Sequence, residues 1–230
     1  MTSSVGKKFV MGITGLLLCG FLVTHLAGNL LMLVGRDAYN GYAHALHSDE
    51  LLIKFAEVGL LVLFVTHIYL AFATSRENRQ ARGPVGYDQQ VTKIENQNMT
   101  PPTALAPKNW MFVTGAVVLA FVLLHLYDFT LELRTDQSID YEATAELHGE
   151  QVPDAFGKAV SLLKTPLSCV VYLVGCLFLG WHLGHGFSSA FQSLGINHLR
   201  YNGLIRYSGI AFAIAIGGGF ALFPLWAIIR

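Results

Sequence analysis

Four histidines sit in surroundings where histidine is uncommon. They are His25 in "LVTHLAGN", His67 in "LFVTHIYL", His125 in "VLLHLYDF" and His182 in "FLGWHLGHG". Each lies roughly 16–17 residues into an apolar run, or about 24 Å of helical travel at 1.5 Å per residue. A neutral imidazole in hydrocarbon needs a partner. Two imidazoles from different helices, facing each other at one depth, can hold an iron between them. Bis-imidazole ligation fills both axial positions of a haem and suits electron transfer. Structural zinc wants four protein ligands, and no cysteine matches these depths.

The elements that must position these rings are membrane spans. The chain has 230 residues, 53% hydrophobic and 13% charged. A soluble domain carries about 25% charged residues. Net charge is +0, and no basic stripe with interleaved aromatics points to nucleic acid. Five apolar stretches, at about 8–34, 51–74, 109–133, 165–191 and 203–229, each approach the roughly 20 residues that a bilayer crossing needs. The expected fold is an all-α bundle of five transmembrane helices with no second domain. The first run exceeds the apolar core of a signal peptide and reads as a retained span. Cys19, Cys169 and Cys176 lie in apolar runs and read as packed thiols.

Direction follows from positive charge, which favours the cytoplasmic side. A cytoplasmic N-terminus and an outside C-terminus put Lys7, Lys8, Arg76, Arg79, Arg82, Lys93, Lys108, Arg200 and Arg206 inside. The connection after span one (about 35–50) is short and rich in turn and polar residues. The third connection is acidic, with Asp136, Asp140, Glu142, Glu146, Glu150 and Asp154, and its "DAFGKAVSLLK" reads as a short interfacial helix. Spans one and three run outward, so His25 and His125 share the outer half of the membrane. Spans two and four run inward, so His67 and His182 share the inner half. Two pairs at two depths result, separated by something like 10–15 Å.

Several pieces resemble a known family: "SSVGKKFVMGITG", "THLAGN", "FVTHIY" and "HLGHGFSSAFQSLGIN", together with the five-span order. The chain resembles the two-haem cytochrome b membrane anchor of succinate dehydrogenases and fumarate reductases. That resemblance implies two b haems, the distal one on His25 and His125 and the proximal one on His67 and His182. It implies flavoprotein and iron–sulfur partner subunits on the cytoplasmic face, a quinone, usually menaquinone, as electron partner, and a bacterial cytoplasmic (inner) membrane. Lys108, Trp110 and His185 are expected near the proximal propionates.

Quinone chemistry takes two electrons and two protons, so titratable groups within a span are candidates. Glu57 lies about six residues into span two, and Asp128 one turn beyond His125. Both are expected to handle quinone protons. Glu132, Asn29, His44 and His47 lie further out, and the two loop histidines are expected to face water. Ser3, Ser4 and Lys8 mark a rival inner location. Two other readings are a cytochrome b of a formate dehydrogenase or hydrogenase, and a haem-free proton-coupled transporter.

Overall fold

A computed structural model describes residues 3–82, 110–135 and 139–230. Helix α1 (Ser4–Val34) begins at Ser3, whose hydroxyl oxygen accepts from the Gly6 amide at 3.1 Å, a side-chain cap for an otherwise orphan donor. It ends at Gly35, whose φ of 148° no residue with a Cβ adopts comfortably. That reversal launches α2 (Arg36–His47) back across the end of α1. Then come α3 (Glu50–Arg82), α4 (Trp110–Phe129), an antiparallel hairpin of β1 (Thr144–Leu147) and β2 (Glu150–Pro153), α5 (Ala155–Lys164), α6 (Pro166–Ser193) and α7 (Leu199–Ile229).

Five of the seven described helices, α1, α3, α4, α6 and α7, are long and apolar enough to cross a membrane. Even α4, with 20 residues, spans about 30 Å. Their outward faces expose Leu17, Phe55, Leu61, Leu123 and Leu177. An apolar surface that continuous marks contact with lipid rather than water, and the chain is a multi-pass membrane protein.

Helices α1 and α7 each begin about four residues before the sequence reading has them, and three further boundaries depart from it. Helix α3 runs on to Arg82 because "TSRENRQAR" holds no glycine or proline to stop it. Helix α4 stops at Phe129 rather than near 133. Glu132 takes left-handed backbone (φ 53°), and the Leu131 and Leu133 amides turn back to Leu126 and Tyr127. The connection at 35–50 is mostly helix, since "RDAYNGYAHALH" can bury Asn40 on one side and leave His44 and His47 exposed. Lys93, Lys108 and Asp136 lie outside the described residues.

Helix α2, the hairpin and α5 form a cap over the end of the bundle where α1 finishes. Asp154 ties it together. Its Oδ1 accepts from the Gly157 amide (3.0 Å), capping α5, and from Asn40 Nδ2 (2.9 Å), while Oδ2 pairs with Arg36. Asn40 Oδ1 in turn accepts from the Phe156 amide at 2.8 Å. The helix expected from "DAFGKAVSLLK" therefore exists as α5. It buries Phe156, Ala159, Leu162 and Leu163 against Met32, Phe223 and Ala227 of the spans. Behind the bundle, α6 and α7 meet where a Cβ on Gly217 would stand 2.8 Å from Gly180 Cα. Glycine at both positions lets the two backbones touch.

Asn40 is 2% exposed, so removing its amide strands two partners in the cap. Asn40→Leu should cost about 1–3 kcal/mol and lower the Tm in detergent. The helical content of the spans, read by circular dichroism below the transition, should stay as in the unaltered protein.

Candidate functional site

The four histidines fall into two layers. Beneath the cap, His25 of α1 and His125 of α4 face each other with ring centroids 5.9 Å apart and ring planes at 77°. Aromatic rings surround them. Phe21 stacks on His25 at 5.3 Å, and Phe220 of α7 lies 5.4 Å away. Phe129 and Tyr172 approach His125 at 5.0 and 6.1 Å.

The far layer lies toward the starts of α1 and α4. There the His67 ring of α3 sits against α1, its Nδ1 3.1 Å from Thr14 Oγ1. The His182 ring of α6 sits against α4 in the same way, its Nδ1 3.3 Å from Thr114 Oγ1. The two layers are about 16 Å apart, because Thr14 precedes His25 by three helical turns and Thr114 precedes His125 likewise.

Glycines make room for the far rings. A Cβ on Gly15 would meet His67 Cε1 at 3.4 Å, and one on Gly115 would meet His182 Cε1 at 3.3 Å. Each imidazole therefore lies on bare helix backbone. All four histidines are only half-buried, so each ring keeps an accessible edge within an apolar frame.

The residues present fit a haem held by two imidazoles. With a metal–nitrogen bond of about 2.0 Å, two imidazoles on opposite sides of one metal place their centroids roughly 6 Å apart, and the capped pair stands at 5.9 Å. No group of three His, Cys, Asp or Glu gathers at a metal-sized site among the described residues. Two ligands per site is what haem iron asks of a protein. Ser188 Oγ and Arg206 Nη2 are buried and without a hydrogen-bond partner among the described residues. Both are donors, suited to carboxylates such as propionates.

Asp128 proves to be the centre of a polar knot. It is 0% exposed. Arg134 Nε lies 3.0 Å from its Oδ1, and Arg134 Nη2 donates to Oδ2 at 3.1 Å. The Tyr172 hydroxyl also donates to Oδ2, at 2.8 Å. Arg134 Nη1 reaches Ser168 Oγ at 2.5 Å. Asp128 is thus joined to the His125 surroundings through Tyr172 and paired with an arginine from the segment after α4, while its Oδ1 accepts no hydrogen bond among the described residues.

The other expected residues scatter. Glu57 is exposed on α3. Glu132 lies past the end of α4 and pairs with Lys158 at 2.5 Å. Asn29 donates to the His25 carbonyl at 2.8 Å, and the Tyr39 hydroxyl reaches its Oδ1 at 3.4 Å. Trp110 stacks on Trp181 at 5.0 Å. His185 is half-buried, one turn beyond His182. Lys108 lies outside the described residues. Lys8 is exposed at the start of α1, where its half-buried neighbour Lys7 pairs with Glu77 of α3.

Comparison with protein-family models, with curated proteins and with solved structures finds no match for this chain. The site therefore rests on its own geometry.

Sequence reasoning missed Thr14, Thr114 and Arg134. A signal for the threonines was present. "MGITGLLLCGFLVTHL" (11–26) and "MFVTGAVVLAFVLLHL" (111–126) share Met, Thr, Gly, Phe, His and Leu at an offset of one hundred residues. That internal repeat marks α1 and α4 as equivalent helices. Arg134 carried no such mark.

Removing one member of a buried ion pair costs about 3–5 kcal/mol, whereas replacing both by apolar groups can be neutral. Asp128→Leu should therefore lower the Tm strongly, and Asp128→Leu combined with Arg134→Met should recover most of it. If Asp128 instead serves quinone protons, Asp128→Asn will abolish quinone turnover with the Tm nearly unchanged.

Proposed function

We propose that this chain is the two-haem cytochrome b membrane subunit of a succinate:quinone oxidoreductase, a succinate dehydrogenase or fumarate reductase, in a bacterial cytoplasmic membrane. One observation carries the reading: four histidines, one on each of α1, α3, α4 and α6, lie in two layers of an apolar bundle, and in one layer His25 and His125 face each other. His25 and His125 would hold one b haem, and His67 and His182 the other. Bound haem supplies reversible one-electron transfer without a change of axial ligands.

The chain's own residues supply the rest. The aromatic packing of the capped layer and the hydroxyl contacts of the far layer fix the ring planes. The excess of Lys and Arg at the N-terminal side orients that side to the cytoplasm. The far layer then faces the flavoprotein and iron–sulfur subunits, and the capped layer faces outward. Trp110, His185, Ser188 and Arg206 lie toward that same cytoplasmic end, with Ser188 and Arg206 offering free donors to propionates.

Succinate oxidation in the partner subunits releases two electrons and two protons. Quinone, menaquinone in this reading, takes up two electrons one at a time and two protons. Glu57, exposed on the lipid-facing side of α3, stands where a membrane-dissolved quinone can approach. Asp128, paired with Arg134 and bonded by Tyr172, is the second proton-handling residue of this reading, on the side of the capped layer.

A dithionite-reduced minus oxidised spectrum of the purified chain should show b-type bands with two haems per chain. His25→Ala should remove one haem and leave the other. Absence of any b-type band refutes the reading, and co-purification with molybdenum or nickel in place of flavin moves the chain to another oxidoreductase. Glu57→Gln should lower quinone turnover by about 10²-fold or more, the range for loss of a general acid or base, with haem content unchanged.

A further inference from the structure

This inference rests on the haem reading above and concerns residues outside the ligand set. We infer that Thr14 and Thr114 are positioning residues for the far haem. Each hydroxyl holds the Nδ1–H of one ligand imidazole, so that Nε2 presents its lone pair to the iron and the ring becomes a stronger donor.

The hydrogen-bond inventory drives the argument. A threonine hydroxyl has one proton to give. Thr14 Oγ1 gives it to the Met11 carbonyl at 3.0 Å, and Thr114 Oγ1 gives it to the Met111 carbonyl at 3.2 Å. Each oxygen can then only accept from the ring nitrogen beside it, 3.1 Å away for His67 and 3.3 Å for His182. In that arrangement Nδ1 carries the proton and Nε2 is bare. An outer partner of this kind fixes the tautomer and orientation of a ligating histidine and raises its basicity.

A hydroxyl bonded to its own helix three residues back is common in membrane helices. That habit explains one such threonine. It does not explain two, at equivalent positions of a repeat, each buried against a histidine from another helix. Thr14 is 6% exposed and Thr114 0%. The glycine after each threonine lays the ring on bare backbone, which leaves the hydroxyl as the polar group at hand.

The capped layer lacks this device. The polar neighbour of His25 Nδ1 is Asn29 Nδ2 at 3.5 Å, and His125 is surrounded by rings. The effect of the threonines is therefore confined to one of the two haems, and the other serves as an internal control for folding.

The test uses the full chain in membranes, as wild type and as Thr14→Val, Thr114→Val and the double variant, with Thr14→Ser and Thr114→Ser beside them. Haem stoichiometry, a redox titration and low-temperature electron paramagnetic resonance are read for each. The valine changes should weaken haem retention in the far layer by about 10–100-fold. The far haem that remains should favour the ferrous state by up to about tenfold, or 59 mV for one electron, because a ring without its acceptor donates less charge. The capped-layer haem should keep its occupancy and potential, and the serine variants should match wild type. Valine variants indistinguishable from wild type overturn the inference. So do equal losses or shifts in both haems, and so does serine behaving as valine. A wild-type chain that binds no haem refutes the function proposed above, an outcome distinct from these.

Discussion

An imidazole removed from water must find something to bond, and four of them inside apolar helices constrain everything around them. The bundle answers with two different environments. Under the cap, His25 and His125 are held by Phe21, Phe129, Tyr172 and Phe220. In the far layer, His67 and His182 are held by hydroxyls and bare backbone. Helix α7 carries no histidine and closes the back of the bundle against α6, through glycines that bring the backbones together. The cap closes one end. Each part follows from keeping four polar rings oriented in surroundings that offer them few partners.

The same economy governs the carboxylates. Asp154 and Asp128 are both buried, and both are joined to arginine and to neutral donors. Burying a charge is tolerable only when it is paired and hydrogen-bonded. Each aspartate fastens a segment outside the spans to the bundle: α5 and α2 through Asp154, and the segment after α4 through Asp128. Their energetic role is local anchorage. Glu57 is exposed and pairs with no group among the described residues, and this contrast separates it from the other two.

Much of this was legible in the amino-acid order. The spans declare themselves because twenty apolar residues in a row have few other uses, and the depth of each histidine follows from counting along a helix. The ends of α3 and α4 were less legible. One depends on weak propensity in a polar tail, and the other on left-handed backbone at Glu132, which glutamate does not advertise. Helix α2 looked like a loop because its polar residues are those that turns favour, yet Asn40 is spent on contacts to α5, more than a hundred residues away. The partnership of Asp128 with Arg134 and Tyr172 was hidden because Arg134 lies beyond the turn that ends α4 and Tyr172 lies on another helix. Ion pairs across a fold leave no spacing rule. The threonines were hidden differently: their repeat is visible, but only a comparison of the chain with itself reveals it.

The eleven-residue interval from Thr14 to His25, and from Thr114 to His125, turns α1 and α4 into rulers. Eleven residues make just over three whole turns, so the two marks on each ruler face the same way to within about 20°. Adding or deleting one residue between the marks would rotate one against the other by about 100° and break both layers together. Neighbouring stretches of α3, by contrast, carry a single mark each and have no such obligation. Between the marks the two copies differ at most positions, while the length there is the same in both.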